Sequence, residues 1–291
     1  MTPVLRTRAA RPSDVAAIAA FTTGTFDWGD YVPESIAGWI DDQSGYVLVA
    51  TDGDDSPVAI GRATLLTPQE AWLHAARVHP DWRGRGIASQ MAVELTDWAR
   101  DRGGLVARLM IEENNTASIR NINKTAFRKT AVIHRGFRTL GQPAPHLNGN
   151  GGSRRRSPLT AREGNRADAE LVAAAWSTSE AGRALRGLIA ESWSFYRLRR
   201  SDVDRAAREA RLWEVGSAWA ITSEDDGRFN VLMLDTSPTD APDVIRALVD
   251  LATDREASEF SAWAADCPWL VEALMAAGCD TEPSGIYAQA L

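Results

Sequence analysis

The chain has 291 residues, 44% hydrophobic and 24% charged, a balance that supports two packed domains and excludes a disordered chain. A formal charge of -7 argues against a nucleic-acid-binding surface, whose footprint is a basic face. Cys267 and Cys279 match no metal-ligand spacing and are too few for a disulfide framework. No run reaches the ~18 apolar residues of a spanning helix, and the first ten residues lack the apolar stretch of a secretory signal. The expectation is a cytoplasmic protein with neither membrane nor nucleic acid as partner.

In chain order, a short apolar segment over 4–8 leads to Pro12-Ser13-Asp14, a helix-start signal. Val15, Ile18, Ala19 and Phe21 then recur at helical spacing. Residues 46–50 (YVLVA) read as a strand, 51–57 as a turn rich in Asp and Gly, and 58–66 as the hairpin partner. A third extended segment over 71–78 stops at His79-Pro80. Ile87, Met91, Leu95, Trp98 and Arg102 lie on one helical stripe that ends at Gly103-Gly104. A strand over 105–111, a helix over 115–127 and an extended piece over 128–138 complete the first half. These elements predict an α+β layer fold, with a mostly antiparallel sheet flanked by helices.

Proline, glycine, asparagine and charge are concentrated over 141–157 (GQPAPHLNGNGGSRRRS), which reads as a linker. The expected division is therefore 1–140, a linker at 141–157, and 158–291. The two halves resemble each other in three places, in the same order. Residues 8–14 align with 162–168, 95–102 (LTDWARDR) with 248–255 (LVDLATDR), and 125–127 with 277–279. A period of half the chain points to duplication of a whole domain.

Between the third extended segment and the stripe helix stands Val78-His79-Pro80-Asp81-Trp82-Arg83-Gly84-Arg85-Gly86-Ile87-Ala88. Glycines let the backbone approach a ligand closely, and the first N–H groups of a helix have no partner of their own. Together with the positive end of the helix dipole they make an anion pocket suited to a pyrophosphate. Arg83 and Arg85 add charge-assisted hydrogen bonds. The plainer alternative is an ordinary strand-to-helix turn. The second half has Asp235-Thr-Ser-Pro-Thr-Asp-Ala241 at the corresponding place, with no glycine, no arginine and two aspartates that would repel phosphate.

Arg83-x-x-Gly86-x-Ala88 after Val-x-Pro resembles the acetyl-CoA signature of the GNAT superfamily of N-acetyltransferases. Asn115-x-x-Ser118 resembles that family's next helix, and Ala126-Phe127 stands where it usually has Gly-Phe. The resemblance implies acetyl-CoA as co-substrate. Main-chain N–H groups of Arg83, Gly84, Arg85, Gly86, Ile87 and Ala88 would hold its pyrophosphate. The backbone of Ala76, Arg77 and Val78 would pair with the pantetheine arm, and Asn115 and Ser118 would touch the cofactor. The N–H near Val78 would stabilise the oxyanion of a tetrahedral intermediate. The second half resembles the degenerate C-terminal GNAT-like domain of tandem proteins, in pattern only.

Acetylation of an amine needs a base to free its lone pair. Where many family members have a glutamate, this chain has His74, whose imidazole could work near neutral pH, or could simply be a half-buried strand residue. Glu112 and Glu113 are further candidates, with solvated carboxylates as the alternative. The family's tyrosine acid is replaced by Ile122. That absence motivates an alternative function, a non-catalytic acyl-CoA-binding sensor or scaffold. Residues 21–40 occupy the segment that covers the acceptor groove in this fold. There Trp28, Asp30 and Tyr31 combine aromatic faces and charge suited to a cationic amine, with core packing as the competing reading. A small molecule or protein bearing an amine is the expected partner, and a homodimer is compatible with the sequence.

Overall fold

The computed structural model describes residues 5–25, 29–141 and 156–291. By its internal contacts the chain divides into two units: Met1–Lys129 with Tyr287–Leu291, and Thr130–Ile286. The units are thus not consecutive halves. The strand counted as the last of the first half falls in the second unit, and the final five residues fall in the first. Most of the expected linker lies outside the described residues.

The first unit opens with β1 (Arg6–Ala9) and a turn at Pro12–Asp14. Asp14 fixes that turn: its carboxylate accepts from the Arg11 N–H at 2.7 Å and pairs with the Arg8 guanidinium at 2.7 Å. Helices α1 (Val15–Thr22) and α2 (Val32–Asp41) follow, then β2 (Gly45–Thr51), β3 (Pro57–Thr67) and β4 (Glu70–Val78). Next come α3 (Ile87–Asp101), β5 (Val106–Glu112) and α4 (Thr116–Ile122). Strands β1 to β4 pair antiparallel in order, and β5 joins β4 in parallel. Beside β5 lies the end of the chain, where the Leu291 N–H donates to the Leu105 carbonyl at 3.0 Å.

Helices cover both faces of this sheet, so its strands are apolar on both sides, as β2 illustrates. Leu48 and Ala50 pack with Ile87, Met91, Leu95 and Ala99 of α3. Val47 and Val49 pack on the other face with Ile18 of α1 and Val32 and Ile36 of α2. Ile87, Met91 and Leu95 of the stripe read from the sequence are buried on α3, Trp98 is half-buried, Arg102 is the exposed C-cap, and Gly103, at φ +85°, ends that helix. The helix expected over 115–127 stops at Ile122. The Thr125 hydroxyl donates to the Ile122 carbonyl, and the chain turns so that Phe127 enters the core, 1% exposed.

In the second unit β6 (Arg128–Thr139) is followed by β7 (Ala161–Glu163), a turn at Arg166–Asp168, α5 (Ala169–Thr178) and α6 (Glu180–Ala184). A separate hairpin, β8 (Leu188–Glu191) and β9 (Ser194–Arg197), precedes α7 (Arg200–Arg208). Then come β10 (Leu212–Val215), β11 (Ala218–Asp225), β12 (Arg228–Asp235), α8 (Ala241–Asp254), β13 (Glu259–Ala265), α9 (Pro268–Ala276) and β14 (Asp280–Ala290), whose residues from Tyr287 onward belong to the first unit. The strands of the second unit lie in the order β7, β10, β11, β12, β13, β6. From β7 onward, with α6 and the hairpin set aside, the succession of elements is that of the first unit from β1. All three sequence correspondences fall on equivalent elements. They are the turn after the first strand, the long helix (α3 and α8), and the turn after the short helix (α4 and α9). Both units are α+β layers of one kind.

Candidate active site

Strands β4 and β5 share only three register pairs, Glu70–Trp72 with Val106–Arg108, yet run on to Val78 and Glu112. Beyond Trp72 they diverge and leave one edge of β4 open. In the same stretch β4 carries a bulge: Arg62 of β3 opposes His74 and Ile60 opposes Arg77, so Gly61 faces both Ala75 and Ala76. Ala75 takes φ +58°, a left-handed conformation unusual for a residue with a Cβ. The bulge reverses the side-chain alternation. Leu73 packs under α3, whereas Ala75, two residues later, packs under α1 and α2.

β4 leads into the glycine loop. Gly84 and Gly86 both have φ +78°, and a Cβ at either would meet no atom within 4 Å. Gly86 is the N-cap of α3 and supplies no side-chain cap to the first N–H groups of the helix. Arg83 and Arg85 are exposed, and each turns onto a nearby carbonyl, that of Val78 at 3.1 Å and of Asp81 at 3.1 Å. Arg85 also lies over the Trp82 ring, 4.6 Å from its centroid. An uncapped helix end, open space and two adjacent guanidinium groups fit a pyrophosphate. At the next helix, the Asn115 side chain accepts from the Ser118 N–H at 3.0 Å and caps α4. Its carbonyl oxygen therefore orders the helix. The Ser89 hydroxyl, on α3, donates to the Asn121 side chain at 2.6 Å and ties the two helices together.

On the opposite face of the sheet, His74 meets Trp39 of α2 edge-on at 5.2 Å, with its Nε2 3.3 Å from the Thr64 hydroxyl. Burial, and then the positive charges of Arg62 and Arg77, push its pKa down from 6.5 to about 3. An imidazole held there is neutral near pH 7 but a weaker base than free imidazole, which counts against the role expected of His74. Glu113 is paired with Lys129 at 2.7 Å. Glu112 is exposed at the end of β5. Because Ala107, Leu109 and Ile111 face α3, Glu112 lies on the His74 face.

Trp28 lies outside the described residues. The Asp30 side chain is fully buried: its carboxylate binds the Arg77 guanidinium at 2.7 and 3.3 Å and also accepts from the Val32 N–H at 3.0 Å. It is therefore not open to a cationic amine, which corrects the expectation for it. Tyr31 is 40% exposed, meets Trp39 edge-on at 5.8 Å and has Arg77 over its ring at 5.5 Å. Arg62, paired with Asp42, lies over Trp39 at 5.1 Å. This ladder of rings and guanidinium groups was not foreseen, because Arg62 and Arg77 sit on strands whose facing depends on the bulge.

In the second unit β12 and β13 also pair in parallel only at their start, Arg228–Val231 with Glu259–Ala262. In the diverging stretch stands Trp263, met edge-on by Phe195 and Trp193 of the β8–β9 hairpin, each at 5.2 Å. The loop before α8 has no glycine, and the N-cap of that helix is Asp240, whose carboxylate accepts from the Ser217 and Ser237 hydroxyls at 2.9 Å. The helix end that is uncapped in the first unit is here beside a carboxylate of the chain's own.

The model of the acetyltransferase (GNAT) family matches residues 15–127. No protein of curated function matches the chain. Among solved structures, a GCN5-related N-acetyltransferase from Sphaerobacter thermophilus is similar at 14% identity and TM-score 0.66, over 98% of this chain and 95% of that one. A protein of Thermoplasma acidophilum matches at 16% identity and TM-score 0.57, over 98% and 100% of the respective chains. One of Pyrococcus horikoshii matches at 16% and 0.56, over 99% and 89%. Likeness at such identities concerns the fold, and it extends over both units. Residues 15–127 are a GNAT acetyltransferase domain, and acetyl-CoA is the acetyl donor of that family.

Proposed function

We propose that this chain is an acetyl-CoA-dependent N-acetyltransferase whose active site lies wholly in the first unit. The observation that carries the reading is the continuity of the divergent β4 edge, its bulge and the uncapped N-terminus of α3. The pyrophosphate is held by main-chain N–H groups of Arg83 to Ala88, with the side chains of Arg83 and Arg85 turning from their carbonyls to its oxygens. The pantetheine arm pairs with the backbone of Ala76, Arg77 and Val78 as an added strand. Asn115 and Ser118 flank it.

The acceptor amine enters from the face of Tyr31, Trp39 and His74. It loses its proton to solvent or, through water, to Glu112, and attacks the thioester carbonyl. The resulting oxyanion is stabilised by a main-chain N–H near Val78, and the tetrahedral intermediate collapses to the amide and CoA. Primary amines, on a small molecule or a protein, are the acceptor class. The second unit is a degenerate copy that binds no CoA, and the tandem protein works in the cytoplasm as a monomer or homodimer.

The test is thiol release from acetyl-CoA over a panel of primary amines, with calorimetry for CoA. Arg83→Ala combined with Gly86→Asp is expected to lower CoA affinity by at least ~10²-fold, since it removes one cation and puts a carboxylate at the anion pocket. Retained affinity would contradict the site. A second reading, a non-catalytic acyl-CoA sensor, is favoured by Ile122, which is 4% exposed in the core and leaves α4 without a tyrosine. CoA binding without thiol release on any amine would select it.

A further inference from the structure

We propose that the Tyr31 hydroxyl is the proton donor to the departing sulfur, and that the buried Asp30–Arg77 pair holds it at the β4 bulge. This rests on the acetyltransferase reading above. The chain has four tyrosines. Tyr46 stacks on Trp98 of α3 at 5.6 Å, Tyr287 is buried in the core under α3, and Tyr196 belongs to the second unit. Tyr31 is the one phenol on the acceptor face of the first unit, and its ring lies against the Arg77 guanidinium, 5.5 Å from the ring centroid. Ala75 and Arg77 both belong to the open stretch of β4. An arm laid along that strand, with its phosphates at Gly86, runs back past Val78 and brings its sulfur end toward the bulge.

Two contacts hold the ring: Arg77 lies over it and Trp39 meets it edge-on. Asp30 in turn joins Arg77 of β4 to the first N–H of α2. Arg77 and Asp30 are the charged groups that face it, from β4 and from the turn before α2. Burial lifts the phenol above its ordinary range, with Arg77 pulling the other way. Tyr31 is therefore protonated at neutral pH, as a donor must be. As the C–S bond of the intermediate breaks, its electron pair goes to sulfur and the Tyr31 proton follows, giving the CoA thiol. The N–C bond already formed remains as the amide. The phenolate regains a proton through water from the acceptor nitrogen, so the enzyme returns to its starting state.

Tyr31→Phe keeps the ring and its contacts. In the full chain it is expected to lower kcat by at least ~10²-fold while the calorimetric Kd for CoA stays within about twofold of the parent. Incorporation of a ring-fluorinated tyrosine at position 31, whose phenol ionises at lower pH, is expected to restore activity at neutral pH. It should also bring the falling alkaline limb of kcat to lower pH, which a purely structural role would not do. A Tyr31→Phe enzyme that keeps its kcat, or a fluorinated enzyme whose limb does not move, overturns the assignment of Tyr31 and leaves the acetyltransferase reading intact. Absence of thiol release from the parent chain on every amine overturns both.

Discussion

His74 is the residue at which spacing and environment disagree. Its place on β4 suggests a base, but its neighbours are Trp39 and the charges of Arg62 and Arg77, which disfavour an imidazolium. The sign of the consequence for stability follows from linkage. In the unfolded chain this imidazole takes up a proton near 6.5, and in the folded chain only near about 3, so between those values the unfolded state holds the extra proton. Its contribution to stability is complete above pH 6.5 and is lost as pH falls toward 3, at no more than ~1.4 kcal/mol per pH unit. His74→Gln, which keeps a hydrogen-bonding partner for Thr64, is expected to reduce the difference in urea midpoint between pH 7 and pH 5. It should leave the pH dependence of turnover near neutrality unchanged in shape. A rising acid limb that vanishes in His74→Gln would restore the imidazole to catalysis.

At the scale of elements, the bulge in β4 decides what the site can be. Ala75 is 3% exposed among Ile18, Val32 and Ile36, and its left-handed conformation is one that β-branched residues adopt only under strain. Ala75→Val is expected to destabilise the protein by about 2–3 kcal/mol and to lower turnover more than CoA affinity, because strain and overpacking act together at one point. Ala75→Gly, which removes the Cβ penalty, is expected to be neutral or to stabilise by up to ~1 kcal/mol. Urea midpoints of both variants check the pair, and a tolerated valine would show that the backbone relaxes there. This element also marks how far the sequence could be read. The hairpin, the α3 stripe and the glycine loop were legible because each rests on local spacing or on the needs of a few consecutive residues. The bulge was not, since Leu73-His74-Ala75-Ala76 carries no glycine and reads as regular strand. Alternation carried across it is therefore out of phase, and nothing in the spacing marks Arg77 as the partner of Asp30. The end of α4 escaped for a similar reason: the burial of Phe127 is a tertiary demand that helical periodicity over 115–127 does not contain.

At the scale of the molecule, the division of the chain alters what counts as the acetyltransferase domain. The first unit takes its last strand residues from the far end of the sequence. Tyr287 is 1% exposed in the same core as Leu95, Ala99 and Phe127, and Leu291 donates to the Leu105 carbonyl at the entrance to β5. Without these residues β5 would present an unpaired edge, and the core under α3 would have a void of aromatic size. A fragment of residues 1–140, cut where composition alone would cut it, is therefore expected to lack a stable CoA site, although it contains every residue assigned to one. Tyr287→Ala in the full chain is expected to cost about 3–5 kcal/mol, the range for deleting a buried aromatic side chain. CoA-dependent thermal shifts on the full chain, on residues 1–286 and on Tyr287→Ala measure this directly. The shorter chain and the variant should need more CoA for the same shift, because binding must now also drive completion of the α3 core. Equal affinity in residues 1–140 and in the full chain would mean that the phosphate loop is supported by α3 and β4 alone, with no need of the C-terminal residues.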